Sequence, residues 1–198
     1  LQRRGPARTV LLCLCRPPQM RPLSWQQCLS RQGGSRRLLL LMRTTRKLIG
    51  RLSMSSSDEH KFLPVTPELV DTFWPYVVVL LQPAIDTAEG KTNSDQIAQD
   101  CKNGEAMLWI VVRGEKLFAS VVTRVYRYTG KQGFAIEFVG GSQMKKWIDL
   151  VLNTLERVAR ESGCTHFEAY GRRGWQRWLE RRNFEPKFIQ YERILNNG

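Results

Sequence analysis

Three apolar runs, a double glycine and one long amphipathic stretch follow each other between Met107 and Glu161, and that order leaves few folds open. MLWIVV (107–112) is followed by Arg113-Gly114-Glu115, a tight turn, and then by Lys116–Tyr128. Apolar runs on either side of a short glycine turn predict a hairpin. FAIEFV (134–139) supplies a third run, which Gly140-Gly141-Ser142 breaks. Beyond the break, Trp147, Val151, Leu155, Val158 and Ala159 recur at three- and four-residue spacing, with Lys146, Asp149, Glu156 and Arg160 on other faces. That period predicts a helix over Gln143–Glu161, closed by Ser162-Gly163.

The flanks extend the pattern. KFLPVT (61–66) reads as a short strand, which Pro64 assigns to a sheet edge. Thr66-Pro67-Glu68 is a helix start, followed by a largely buried stretch, Leu69–Leu81, that Pro75 and Pro83 interrupt or kink. Ser94-Asp95-Gln96 opens a second helix through Cys101, and Asn103-Gly104 closes it. Thr165–Tyr170 alternates as a strand, Gly174–Arg182 reads as a short helix and Lys187–Leu195 as a closing strand. The expected class is α/β: a mixed central sheet flanked by helices, in the order β-αα-βββ-α-β-α-β.

Charge divides the chain. Residues 1–57 hold twelve basic residues and no acidic one, whereas residues 58–198 hold 19 basic and 18 acidic residues, a net of +1. The overall charge of +13 therefore belongs to the first segment and says little about nucleic-acid binding by the rest. Residues 1–57 read as an Arg-rich disordered leader. Met54 opens MSSSDEHKFLPV and fits a natural initiator, with a targeting peptide and a basic nucleic-acid-binding arm as the other readings. Residues 58–198 form the expected domain. No apolar run nears the roughly 18–20 residues that span a bilayer. Cys101 and Cys164 stand far apart without metal-ligand spacing and read as small buried residues. A reducing compartment fits them, so the expected location is cytoplasmic, or an organelle if the leader is translated.

The segments FVGGSQMKKW and YGRRGWQRWLERRNFEP, with this element order, resemble the GNAT (N-acetyltransferase-like) superfamily over about Lys61–Leu195. The LW-I-V, GG-x-x-x-x-W and YGR-x-GW segments also resemble short GNAT-like proteins of phage and prophage. The resemblance implies transfer of an acetyl group from acetyl-CoA to an amine by direct attack on the thioester, with no metal. It implies that the cofactor threads between the fourth and fifth strands, with its pyrophosphate on the backbone before the long helix. The matching positions are Phe138, Val139, Gly140, Gly141, Ser142, Gln143, Met144 and Lys145. The family pattern there is Q/R-x-x-G-x-G/A, which this sequence does not reproduce. Glycines permit close backbone approach and a helix start favours anions. A plain strand-to-helix turn with Ser142 as N-cap explains the same residues.

The resemblance also implies a carboxylate base on the fourth strand, where Glu137 stands, and a tyrosine acid in a Y-x-x-x-G-F context. Here Leu179 and Asn183 replace that tyrosine and glycine, and Tyr170, at the end of the fifth strand, is either a substitute acid or a packing or exposed-edge residue. An acid within an apolar run either faces a cleft or pairs with a base such as Arg124. His166, Glu168 and Tyr170 share a strand face and form either a relay or a solvated polar face. The Arg172–Arg182 cluster with Trp175 and Trp178 reads either as a phosphate or nucleic-acid contact or as a helix with a core Trp face and a solvated Arg face. Two rivals to the enzyme remain: a non-catalytic binding or virion-associated module, and a nucleic-acid-binding protein acting through its Arg-rich segments.

Overall fold

The computed structural model describes residues 21–22, 59–171, 173–187, 192–193 and 195. The expected disorder of the leader and most of the expected closing strand Lys187–Leu195 lie outside the described residues. Within the leader only Arg21–Pro22 (β1) is described, and it runs antiparallel to Tyr126–Arg127.

The remaining elements are β2 (Lys61–Val65), α1 (Val70–Ile85), α2 (Ser94–Lys102), β3 (Ala106–Arg113), β4 (Lys116–Arg127), β5 (Gln132–Gly141), α3 (Ile148–Glu161), β6 (His166–Ala169) and α4 (Gln176–Glu180). The sheet order is β2-β3-β4-β5-β6, antiparallel throughout except for the parallel β5–β6 pair. The Pro64 strand is at the edge, as its proline requires. The expected hairpin forms around Gly114, which takes φ +57°, with Arg113 opposite Lys116.

Each sheet face carries its own core. On one side α3 buries Ile148, Val151, Leu152, Leu155, Val158 and Ala159 against Trp109, Val121, Phe134 and Ile136. On the other, α1 and α2 bury Val77, Leu81, Ile97 and Cys101 against Leu108, Val122 and Phe138. This division follows from strand alternation: successive side chains serve opposite faces.

Three expectations are corrected. First, Pro75 and Pro83 do not interrupt α1, which continues past both. Each proline removes one amide donor, and burial of Val70, Val77, Leu81, Ala84 and Ile85 holds the helix together around both. Tyr76 and Val79 are exposed, so the helix is less buried than its composition suggests. Second, Gly140 and Gly141 do not break β5 but end it, opposite Ser120 and Ala119. Third, the long helix starts at Ile148, after a 3-10 turn over Met144–Lys146. Ser142 does not cap it; its carbonyl accepts from the Trp147 indole at 2.6 Å.

Candidate active site

The site is built where β5 changes register. Val122 pairs with Phe138 and Thr123 with Ile136, so Glu137 is an extra residue, a β-bulge. The bulge turns both Glu137 and Phe138 toward the α1/α2 side. Arg124 and Tyr126, two apart on β4, face the same way.

Glu137 is 1% exposed, and its Oε1 accepts from Arg124 Nε at 3.1 Å and from the Tyr126 hydroxyl. Arg124 Nη2 donates to Asp100 of α2 at 2.5 Å, and Glu105 lies 3.8 Å from Nη1. The cleft-facing reading of Glu137 is therefore replaced by the pairing one. Burial opposes the charge on Arg124, but Glu137 and Asp100 outweigh it and hold the guanidinium well above its usual range. Cys101 lies within the influence of this cluster. Burial, partly offset by Arg124, pushes its thiol from 9.0 up to about 12. It is 2% exposed, as its apolar reading required, and Cys164 is half-buried.

A second cluster stands one strand over. Glu168 Oε2 accepts from the Tyr128 hydroxyl at 2.6 Å and from the Tyr170 hydroxyl at 3.3 Å. Burial, followed by the neighbouring Glu168, raises both phenols above the usual tyrosine range. Tyr170 also feels the charge of Glu137, which links the two clusters. His166 is not part of this arrangement; it is exposed and contacts Thr165 Oγ1 at 2.7 Å. Strand alternation could pick out the 168/170 pair, but not Tyr128, which joins it across the sheet.

Between the clusters the sheet divides. Gly133 through Ile136 of β5 pairs with His166 through Ala169 of β6, and there the pairing stops. From Glu137 to Gly141 that edge of β5 has no strand partner among the described residues. Tyr170 is the first residue past the last pair.

The double glycine has a packing reason. A Cβ on Gly140 would run into the Leu80 carbonyl of α1, and one on Gly141 would lie 2.5 Å from Phe118 O and the Ala119 Cβ. Beyond them Gln143 takes a left-handed φ of +54°, and Lys145 and Lys146 are exposed. Ser142 donates its amide to Phe118 O. The amides of Gln143, Met144 and Lys145 donate to no backbone carbonyl among the described residues.

Leu179, at the family's tyrosine position, packs into the α3-side core. In the Arg cluster, Trp175 is buried and Trp178 half-buried against that same core. Arg182 lies 3.9 Å over the Trp178 ring and pairs with Asp149 at 2.7 Å. Arg173, Arg177 and Arg181 are exposed, and Arg172 lies outside the described residues. No helix among the described residues is long and apolar enough to cross a membrane.

No family model matches the sequence, and no curated protein matches it either. Solved structures do. A GCN5-related N-acetyltransferase from Ralstonia eutropha superposes with a TM-score of 0.52 at 12% identity, covering 68% of this chain and 98% of that one. An aminoglycoside acetyltransferase from an uncultured soil metagenomic sample gives 0.52 at 11% identity, covering 72% and 100%. Glucosamine-6-phosphate N-acetyltransferase from Arabidopsis thaliana gives 0.50 at 13% identity, covering 69% and 99%. With its mixed sheet, its helices on both faces and its likeness to these structures, the chain has the fold of the GNAT acetyltransferases.

Proposed function

We propose that this protein is an acyl-CoA-dependent N-acyltransferase that moves an acetyl group from acetyl-CoA to an amine. The observation that carries the reading is the split between β5 and β6, which opens at the Glu137 bulge and ends beside the 142–146 loop. An unpaired strand edge offers backbone donors and acceptors to an extended ligand, such as the pantetheine arm along Phe138–Val139. The loop offers three amides and two lysines to a pyrophosphate. Gly140 and Gly141 keep β5 close to α1 and β4, which places Ser142, Gln143, Met144 and Lys145 at the end of the open edge. The thioester then lies at the bulge, near Tyr170. Tyr170 stays protonated and suits proton delivery to the departing sulfur. Glu137, held by Arg124 and Tyr126, fixes the bulge.

Isothermal calorimetry of the full chain with acetyl-CoA tests the reading, beside a Lys145→Glu/Lys146→Glu variant. Both lysines are exposed, so the variant folds. Losing two charge-assisted contacts should weaken binding about tenfold or more. A primary-amine panel (spermidine, kanamycin, glucosamine 6-phosphate, an Ala-terminated peptide) follows, scored by thiol release. Absence of binding at millimolar acetyl-CoA sinks the enzyme reading. It would favour the alternative of a non-catalytic module, which the departure from the family's glycine pattern at 140–145 and the leucine at 179 in place of a tyrosine also favour.

A further inference from the structure

The Glu137 position is where a fourth-strand base is expected, yet its surroundings are wrong for a base. Its Oε1 already accepts from a guanidinium and a phenol inside the sheet–α2 interface. A carboxylate 1% exposed and already engaged by a guanidinium and a phenol is out of hydrogen-bond reach of an acceptor amine. Glu168 is different. Its hydrogen-bond partners are the two tyrosine hydroxyls, it makes no ion pair among the described residues, and it is partly exposed. It is also held in place. Gly133 lies under Oε1, where any Cβ would collide, and the Tyr128 ring closes the other side. It pairs with Ala135, one position before the last β5–β6 pair, and stands two residues before Tyr170 on the same strand face, with Tyr170 at the mouth of the split.

We infer that Glu168, not Glu137, is the base of the acyl transfer, working with Tyr170 as a closed proton circuit. The inference rests on the acyltransferase reading. The acceptor nitrogen attacks the thioester carbon with its lone pair, and the new C–N bond forms as the carbonyl π electrons move to oxygen. Glu168 takes the nitrogen proton. The oxygen lone pair re-forms the carbonyl, the C–S bond breaks and its electron pair leaves on sulfur. Tyr170 gives its hydroxyl proton to that sulfur. The proton on Glu168 then passes to the Tyr170 phenolate along their hydrogen bond. The proton lost by the amine has reached the thiol, and both side chains are restored. Tyr128 holds the carboxylate toward Tyr170 and is a positioning residue.

The test uses the full chain, acetyl-CoA and whichever panel amine the wild type acetylates. Glu168→Ala should lower kcat about a hundredfold, within the usual contribution of a general base, with the KM for acetyl-CoA changed less than threefold. Added formate should restore at least a tenfold part of the loss by filling the space above Gly133. Tyr170→Phe should lose a similar factor that formate does not restore. Independently of activity, absorbance titration should show the Tyr128 and Tyr170 phenols ionising at lower pH in Glu168→Ala. Near-normal kcat in Glu168→Ala, with loss and formate rescue in Glu137→Ala instead, overturns the assignment. So does a loss in Glu168→Ala that formate leaves untouched. Failure of the wild type to acetylate any amine sinks the acyltransferase reading itself, a separate result.

Discussion

Gly133 and Glu168 occupy one space: the missing side chain of the first is filled by the carboxylate of the second. A Cβ at 133 would press on Oε1 of Glu168 and touch the Tyr128 ring at 3.0 Å. Gly133→Ala is therefore expected to destabilise by about 1–3 kcal/mol, as overpacking does. In a Glu168→Ala background the same change should cost much less. The coupling in a double-mutant cycle, read from urea midpoints, measures the contact.

Arg124 is set between Asp100 and Glu137, both almost fully buried. Arg124→Met leaves two buried carboxylates without their shared cation and should cost roughly 3–5 kcal/mol. Replacing Arg124, Asp100 and Glu137 together by apolar residues of similar volume should recover most of that loss. Chemical denaturation of the two variants checks both statements.

Gly140→Ala should lower stability by about 1–3 kcal/mol, because the added methyl meets the Leu80 carbonyl of α1, a backbone atom that cannot rotate away. A thermal melt reports the stability. Calorimetry with acetyl-CoA on the same variant reports whether moving α1 from β5 also disturbs the loop beyond Gly141.

The Cys101 thiol is raised from 9.0 to about 12 by burial. Between those values the unfolded chain has lost a proton that the folded chain keeps. Stability contributed by the neutral thiol is thus complete below pH 9 and falls as pH rises toward 12. The slope is about 1.4 kcal/mol per pH unit for one proton. Cys101→Ala should flatten the alkaline limb of a stability–pH curve by about one proton, measured by urea unfolding at successive pH values.

Element order as far as the short helix after β6, and the edge position of β2, were legible because they depend on local periodicity and on proline and glycine, which a single sequence carries. Val151, Leu155 and Val158 declare a helix face however the rest folds. The bulge at Glu137 was not legible, since an extra residue shows only against its partner strand. Without it, alternation puts Glu137 and Phe138 on opposite faces. The arginine partner of Glu137 was named from neighbouring strands, but Asp100 and Tyr126 arrive from an unrelated helix and from the register. Gly140-Gly141 illustrates the converse. The residues were noticed correctly, while their cause, close approach to Leu80 and Ala119, belongs to tertiary packing.

Pro64 on β2 bears on how the protein behaves when concentrated. The outermost described strand is five residues long, and one of them has no amide hydrogen to offer. A second molecule arriving edge-on finds a short template with a gap in it, a poor seed for stacking chains into fibres. The opposite flank, where β5 outruns β6, has no such interruption from Glu137 to Gly141 among the described residues. Crowding alone should make that flank the sticky one, and any extended molecule occupying it would also keep the solution clear.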